Sequence, residues 1–296
     1  MWRLIQQTFT EFSEDECPRL AAALAYYAVF SLPALLVLIV AVAGVFADQE
    51  QVSGRLTSYF DETMGESGAR QIQTILKHAS QPGRGLVASL IGMVTLVAGA
   101  TGVLLELQTA LNRAWGVEPD PHHGGLKAFV LKRALSLAMV LGIAFLLLVS
   151  LVGSWLLSEF SGLVRQWAPD WMSQSLIHAI DVAASLAIIT FLFAALLKYL
   201  PDVRLAWADV WAGAVLTSLL FVAGKFALGT YLAVSDPTSA FGAAGSLALV
   251  LLWIYYSAMI FFLGAEFTQV LAQSRGKRPQ PEPGAHKAPR AVAARA

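Results

Sequence analysis

The sequence predicts an all-α protein, a polytopic transmembrane helical bundle with six membrane-spanning helices. Three observations carry this expectation. Six apolar stretches are each long enough to cross a bilayer, since ~20 apolar residues in a helix cover a hydrocarbon core of ~30 Å. The 296 residues are 57% hydrophobic and 14% charged, where soluble domains carry ~25% charged residues. Lys and Arg concentrate in alternate connections between the apolar stretches, as they do in multi-span proteins. In lipid the backbone must satisfy its own polar groups, so runs of this length are read as helices.

Each element follows from its residues. Residues 1–19 read as a cytoplasmic amphipathic lead-in. Trp2, Ile5, Phe9 and Phe12 recur at helical spacing, the pattern of a short helix lying in the membrane interface. Glu11, Glu14, Asp15 and Glu16 stand where a signal peptide has basic residues and a short apolar core. The first span follows at 20–47, and Pro18 suits its start. Pro33 lies inside that span, where the missing N–H predicts a bend or a division of the helix. Residues 48–83 form a polar extracytoplasmic loop, in which RQIQTILKH reads as a short surface helix. The remaining spans fall at 85–110, 134–157, 176–199, 208–233 and 243–271, so the transmembrane domain occupies 20–272. The tail, 273–296, is basic and rich in Pro and Ala, and is expected to be disordered in the cytoplasm.

Basic residues orient the bundle. With the N-terminus inside, the cytoplasmic segments hold 14 Lys and Arg, and the opposite side holds Arg55, Arg70, Lys77, Arg84 and Arg165. Lys225 lies within a span. The bias places both termini in the cytoplasm.

Ionisable residues inside spans are costly, and mark functional positions by default. Here they are Glu106, Asp181, Lys225 and Glu266. Asp181 falls ~8 Å and Lys225 ~12 Å below the same outer surface at 1.5 Å per residue, so the two are expected to pair. Glu106 and Glu266 sit near the opposite ends of spans two and six. They are expected to form an inner cluster with Gln108 and Asn112, and with Arg113, Arg19 or Arg133 as counter-charges. Simpler readings stand beside these: Lys225 snorkels outward along its stem, and the two glutamates cap helix ends. Tyr26 and Tyr27 either line a cavity or anchor the interface. Gly92, Ala98, Gly99 and Gly102 in span two, and Gly213, Thr217 and Gly224 in span five, permit close helix packing.

Conventional catalytic chemistry is not expected. Cys17 is the only cysteine, which leaves no internal disulfide and no multi-cysteine metal site. His122 and His123 are adjacent, without neighbouring ligands that complete a metal site. No GxxxxGK[ST] phosphate loop or GxSxG elbow occurs. A net charge of zero gives no basic footprint for nucleic acid. No cofactor and no enzymatic activity are therefore expected.

Four segments together resemble one family. They are AAALAYYAVFSLPALLVLI at 21–39, GATGVLLELQTALNRAWGV at 99–117, KYLPDVRLAWADVWAGAVLTSLLFVAGKFALGTYL at 198–232 and GSLALVLLWIYYSAMIFFLGAEFTQVL at 245–271. In order and spacing this set resembles the YihY/BrkB family of bacterial inner-membrane proteins, some of them labelled ribonuclease BN. Many relatives have proline where this chain has Ala34, and Pro33 stands in its place. The resemblance implies six transmembrane helices with both termini cytoplasmic, a place in the bacterial inner membrane, and a link to envelope integrity or lipid transport. It carries over no catalytic residue, and the ribonuclease label does not fit, since metal-dependent RNases need clustered ligands that this chain lacks. The leading expectation is transport or presentation of an amphiphilic envelope molecule such as a lipid. The alternative is a non-transporting scaffold for envelope integrity. Membrane lipids are the expected partners, with an envelope protein and a homo-oligomer left open and nucleic acid not expected.

Overall fold

The computed structural model of the protein describes residues 2–43, 49–79, 102–103, 105–119, 174–235, 245–277 and 280–287. These residues are almost entirely helical. In chain order they form α1 (Trp2–Glu14), α2 (Cys17–Ala43), α3 (Gln49–Ala79), α4 (105–114), β1 (Val117–Pro119), α5 (Gln174–Tyr199), α6 (Trp207–Ser235), α7 (Gly245–Ser274) and β2 (Ala285–Lys287). Trp207–Ala227 and Leu247–Ser274 are long and apolar enough to cross a membrane, and Cys17–Leu32 and Ser185–Tyr199 are shorter apolar helical stretches. Most of the expected span two and all of span three lie outside the described residues.

α7 is the central helix, packed against α1, α2, α3 and α6, while α5 packs on α6. Small residues set the α6–α7 seam. Gly213 faces Thr268, and Gly264 faces Thr217, so a Cβ on either glycine would collide with the threonine hydroxyl opposite. Each hydroxyl is turned back onto its own helix, Thr217 Oγ1 to Gly213 O at 2.8 Å and Thr268 Oγ1 to Gly264 O at 2.7 Å. The polar atoms are satisfied and the backbones approach closely, as small residues allow in lipid. Across the other face of α6, Ser218 Oγ meets Thr190 Oγ1 of α5 at 2.7 Å. Phe30 on α2, Phe191 on α5, Leu219 and Phe226 on α6, and Leu252 on α7 are left exposed. Together they give these helices an apolar outer surface.

Three expectations change. First, α2 runs unbroken from Cys17 to Ala43, so of the two outcomes expected at Pro33, a bend or a division, the division does not occur. Proline removes a single backbone bond; Ser31 is buried and donates back within the helix to Ala28 O at 3.1 Å, and beyond the proline Leu36 and Val40 are buried against α3. Second, the polar segment 48–83 is not a loop with a short helix but contains the 31-residue α3. Val52 and Leu56, then Ile72 and Leu76, repeat at i,i+4 and bury one stripe on Leu36 and Val40. The polar remainder of the helix hid this stripe from a reading by composition. Third, the start of the tail is ordered. α7 ends at Gly276 (φ 73°), where Gly276 N–H donates to Gln273 O at 2.9 Å and Lys277 N–H to Ala272 O at 3.0 Å. This paired closure needs a left-handed residue, which glycine adopts at no steric cost. Residues 280–287 then cross the end of the bundle. Arg204 N–H donates to Gln280 O at 3.0 Å and Glu282 N–H to Asp202 O at 2.9 Å. β2 pairs antiparallel with β1 in the register Val117–Lys287, Glu118–His286, Pro119–Ala285. Backbone bonds of this kind require no side-chain pattern, so the tail's composition did not betray them.

Candidate functional site

The starts of α2 and α6, the ends of α4, α5 and α7, and the strand pair all meet at one end of the bundle. Phe12, Cys17, Leu20, Leu111, Leu197, Val210 and Phe262 form an apolar core there. Set into this core are two polar knots.

The first knot ties α4 to the α5–α6 connection. Gln108 and Asn112 are four residues apart, so both side chains lie on one helix face. Gln108 Nε2 donates to Asp202 Oδ1 at 2.9 Å, and Asn112 Nδ2 to Asp202 Oδ2 at 2.8 Å. Asp202 N–H returns a bond to Asn112 Oδ1 at 2.8 Å. Both oxygens of one carboxylate are thus satisfied by amides of one helix turn. Nearby, Lys198 Nζ bonds Leu205 O at 2.5 Å and lies over the rings of Tyr199 and Trp207. Lys277 pairs with Asp209 in the first turn of α6.

The second knot surrounds Glu266 on α7, whose exposure is 0%. Cys17 Sγ–H points to Glu266 Oε1 at 3.5 Å. Glu266 Oε2 has no hydrogen-bond donor among the described residues. The Asp15 carboxyl lies within hydrogen-bonding reach of Glu266. Arg113 comes from α4, with Nε 3.6 Å from Asp15 Oδ1 and a further approach of 3.5 Å to Glu16 Oε2. Arg19 closes on Glu16, with Nε 2.6 Å from Oε2. Burial pushes the Asp15 carboxyl above its usual range, against the opposing pull of the Glu266 hydrogen bond and Arg113. Glu16 goes the other way, held low chiefly by its hydrogen bond with Arg19. Glu16 also has φ 53°, a left-handed backbone that costs an L-residue roughly 1–2 kcal/mol. The α1–α2 corner is therefore a tight, ionically tethered turn. Two facing carboxyls of this kind can hold a proton between them.

The expected inner cluster thus exists as two knots rather than one. Asn112 and Gln108 join Asp202, and Glu266 joins Asp15 and Cys17. Glu106 is half-buried and bonds to neither knot, because it precedes Gln108 by two residues and leaves the helix on another side. Arg113 and Arg19, expected as counter-charges of this cluster, pair with Asp15 and Glu16 instead of Glu106 or Glu266, and Arg133 lies outside the described residues. Lys225 is half-buried on α6 and makes no hydrogen bond or ion pair with a described residue. The side chains of its expected partner Asp181 and of Pro33 lie outside those described. Tyr26 and Tyr27 are exposed. Tyr27 packs its ring against Gly102, where a Cβ would come within 2.7 Å of Cδ1, and Tyr26 sets its ring edge-on to Phe30 at 5.0 Å. The sequence reading missed Asp15, Cys17 and Asp202. Its signal for Cys17 was spent on disulfides and metals, and Asp202 lies in a connection rather than a span.

Comparisons with known proteins place the chain among membrane proteins. The chain is 29% identical over 285 residues to a "UPF0761 membrane protein" of Azotobacter vinelandii, covering 95% of this chain and 65% of that one. It is 28% identical to proteins of the same description from Saccharophagus degradans, over 92% of this chain and 60% of that one, and from Alkalilimnicola ehrlichii, over 88% and 56%. The chain therefore spans about three-fifths of the length of these relatives. No solved structure matches. Residues 8–289 match the family described as Virulence factor BrkB. With its apolar helices, its membrane-protein relatives and that match over nearly its whole length, the chain is a membrane protein and belongs to the BrkB family.

Proposed function

We propose that this protein sits in the bacterial inner membrane with both termini in the cytoplasm, and there moves or presents an anionic amphiphile such as a lipid. The observation that carries the reading is Lys225. It stands near the end of the stretch Trp207–Ala227, which is apolar enough to span a membrane, half-buried, with no partner among the described residues. Beside it Phe226 is exposed, and Gly224 lets the Tyr256 ring approach the backbone. A cation at such a position favours an anionic headgroup whose chains run along the apolar surface. The polar end supports the orientation. It gathers Arg19, Arg113, Lys198, Arg204 and Lys277, and Tyr199 and Trp211 are exposed there, as interface anchors are. No enzymatic step belongs to this reading.

The test is transbilayer movement of labelled lipid in liposomes of native envelope lipids, with and without the purified protein. The expected result is movement above protein-free liposomes that Lys225→Ala abolishes while the mutant remains folded in the membrane. Movement unchanged in Lys225→Ala removes this residue from the path. No movement by folded protein favours the scaffold reading, which the ordered strand-paired tail also suits as a docking surface.

A further inference from the structure

We propose that Glu266 and Asp15 form a proton-binding site that clasps α1 and the α1–α2 corner to α7, and that loss of the proton opens the clasp. The inference is independent of what the protein moves.

Three observations carry it. Glu266 is wholly buried, and no donor among the described residues reaches Oε2. Asp15 is its carboxyl neighbour, and two ionised carboxylates offer acceptors alone, so a bond between the two needs a proton. The charge balance also falls short. Facing the pair are Glu11 and Glu14 from α1, Cys17 from α2 and Arg113 from α4. Glu16 adds a further carboxylate and already holds Arg19. Arg113 divides itself between Asp15 and Glu16. One shared guanidinium does not neutralise both members of the pair, and a proton supplies what is missing. The upward displacement of Asp15 by burial agrees with this.

The two carboxyls also sit on different elements. Asp15 lies in the turn that ends α1, and Glu266 on α7, against which α1 packs. With the proton in place the pair draws the elements together. Without it two negative charges repel across the same contact, and among the described residues α1 has few other buried holds. Trp2, exposed at 70%, and Ile5 and Phe9 face away from the bundle, and only Thr8 and Phe12 are buried. Glu16, strained at φ 53°, is the point about which the helix turns.

Cys17 is a built-in reporter, as the single thiol of the chain, buried and donating to Glu266 Oε1. The experiment is the rate at which a small methanethiosulfonate modifies Cys17 in the full-length protein in detergent, from about pH 5 to about pH 9. Burial, and then the Glu266 charge, hold the Cys17 thiol up, so thiol ionisation alone lowers the wild-type rate relative to Glu266→Gln as pH rises; the readout is the ratio of wild type to Glu266→Gln, and only opening makes it rise. The glutamine amide donates to Asp15 at every pH and needs no proton. The expected result is a ratio that rises about tenfold with pH, as a local opening exposes the thiol. A ratio that stays flat overturns the proposal. If Glu266→Gln fails to fold, Asp15→Asn supplies the same permanent donor from the other side, with the same two outcomes.

Discussion

The two ends of the helical bundle are held by different forces. At one end Asp202 collects three directional bonds from Gln108 and Asn112, and Asp15, Glu266, Cys17 and Arg113 interlock α2, α4 and α7. At the other, Leu36 and Val40 meet Val52, Leu56, Ile72 and Leu76 of α3, and Leu249, Val250 and Trp253 meet Phe221 and Phe60. Hydrogen bonds demand angles and distances, so the polar end has one register. Apolar contact is non-directional, so the buried stripe of α3 sets no register by itself. The Asp202 knot is therefore expected to keep its register when the apolar stripe of α3 is loosened.

The largest test of this contrast is Ile72→Ala. Truncating a fully buried isoleucine costs about 3 kcal/mol, and α3 is expected to loosen alone. Hydrogen exchange rises along Gln49–Ala79 while Cys17 stays protected; loss of protection at both ends shows that the two are not separate. Next is Asn112→Ala, which strips one carboxylate oxygen and one backbone N–H of their partners. It costs about 2 kcal/mol and frees residues 280–287 as well as the α5–α6 connection, which exchange resolves by segment. Lys277→Ala ranks third, at about 1 kcal/mol, because the lysine is largely exposed even though Asp209 is not; thermal unfolding in detergent measures it.

The smallest effect is a slope with pH. Asp15 is raised by burial, so its stabilising contribution is full at acid pH and is lost as pH rises through the raised value. Glu16 is lowered by Arg19, so its contribution is present above the ordinary carboxylate range and is lost as pH falls through the lowered value. Between those limits the melting temperature is expected to decline from mildly acid to neutral pH, and Asp15→Asn to flatten the decline. A slope unchanged in that variant assigns it to other groups.

What the sequence made legible follows from range. Apolar length marked α2, α5, α6 and α7, because lipid imposes it locally. Gly213 and Thr217 read as packing residues for the same reason, and the α6–α7 seam uses them so. Gln108, Asn112 and Glu266 were visible as polar residues near one end. Their partners were not, since Asp202 is 90 positions from Asn112 and Cys17 is 249 from Glu266. Composition also misled. Polar residues concealed the buried stripe of α3, and Pro and Lys concealed a tail that crosses the bundle end largely through backbone bonds.

The strand pair has a consequence for how the protein is made. β1 leaves the ribosome with no partner and waits for β2, about 170 residues later. At ~5–20 residues per second that delay is roughly ten to thirty seconds. Through it α4, joined about halfway by the α5–α6 connection, waits with its polar end uncovered. The tail therefore fastens the bundle only after α7 has been synthesised, and a chain truncated before residue 285 keeps an open strand edge by which a quality-control protease can recognise it.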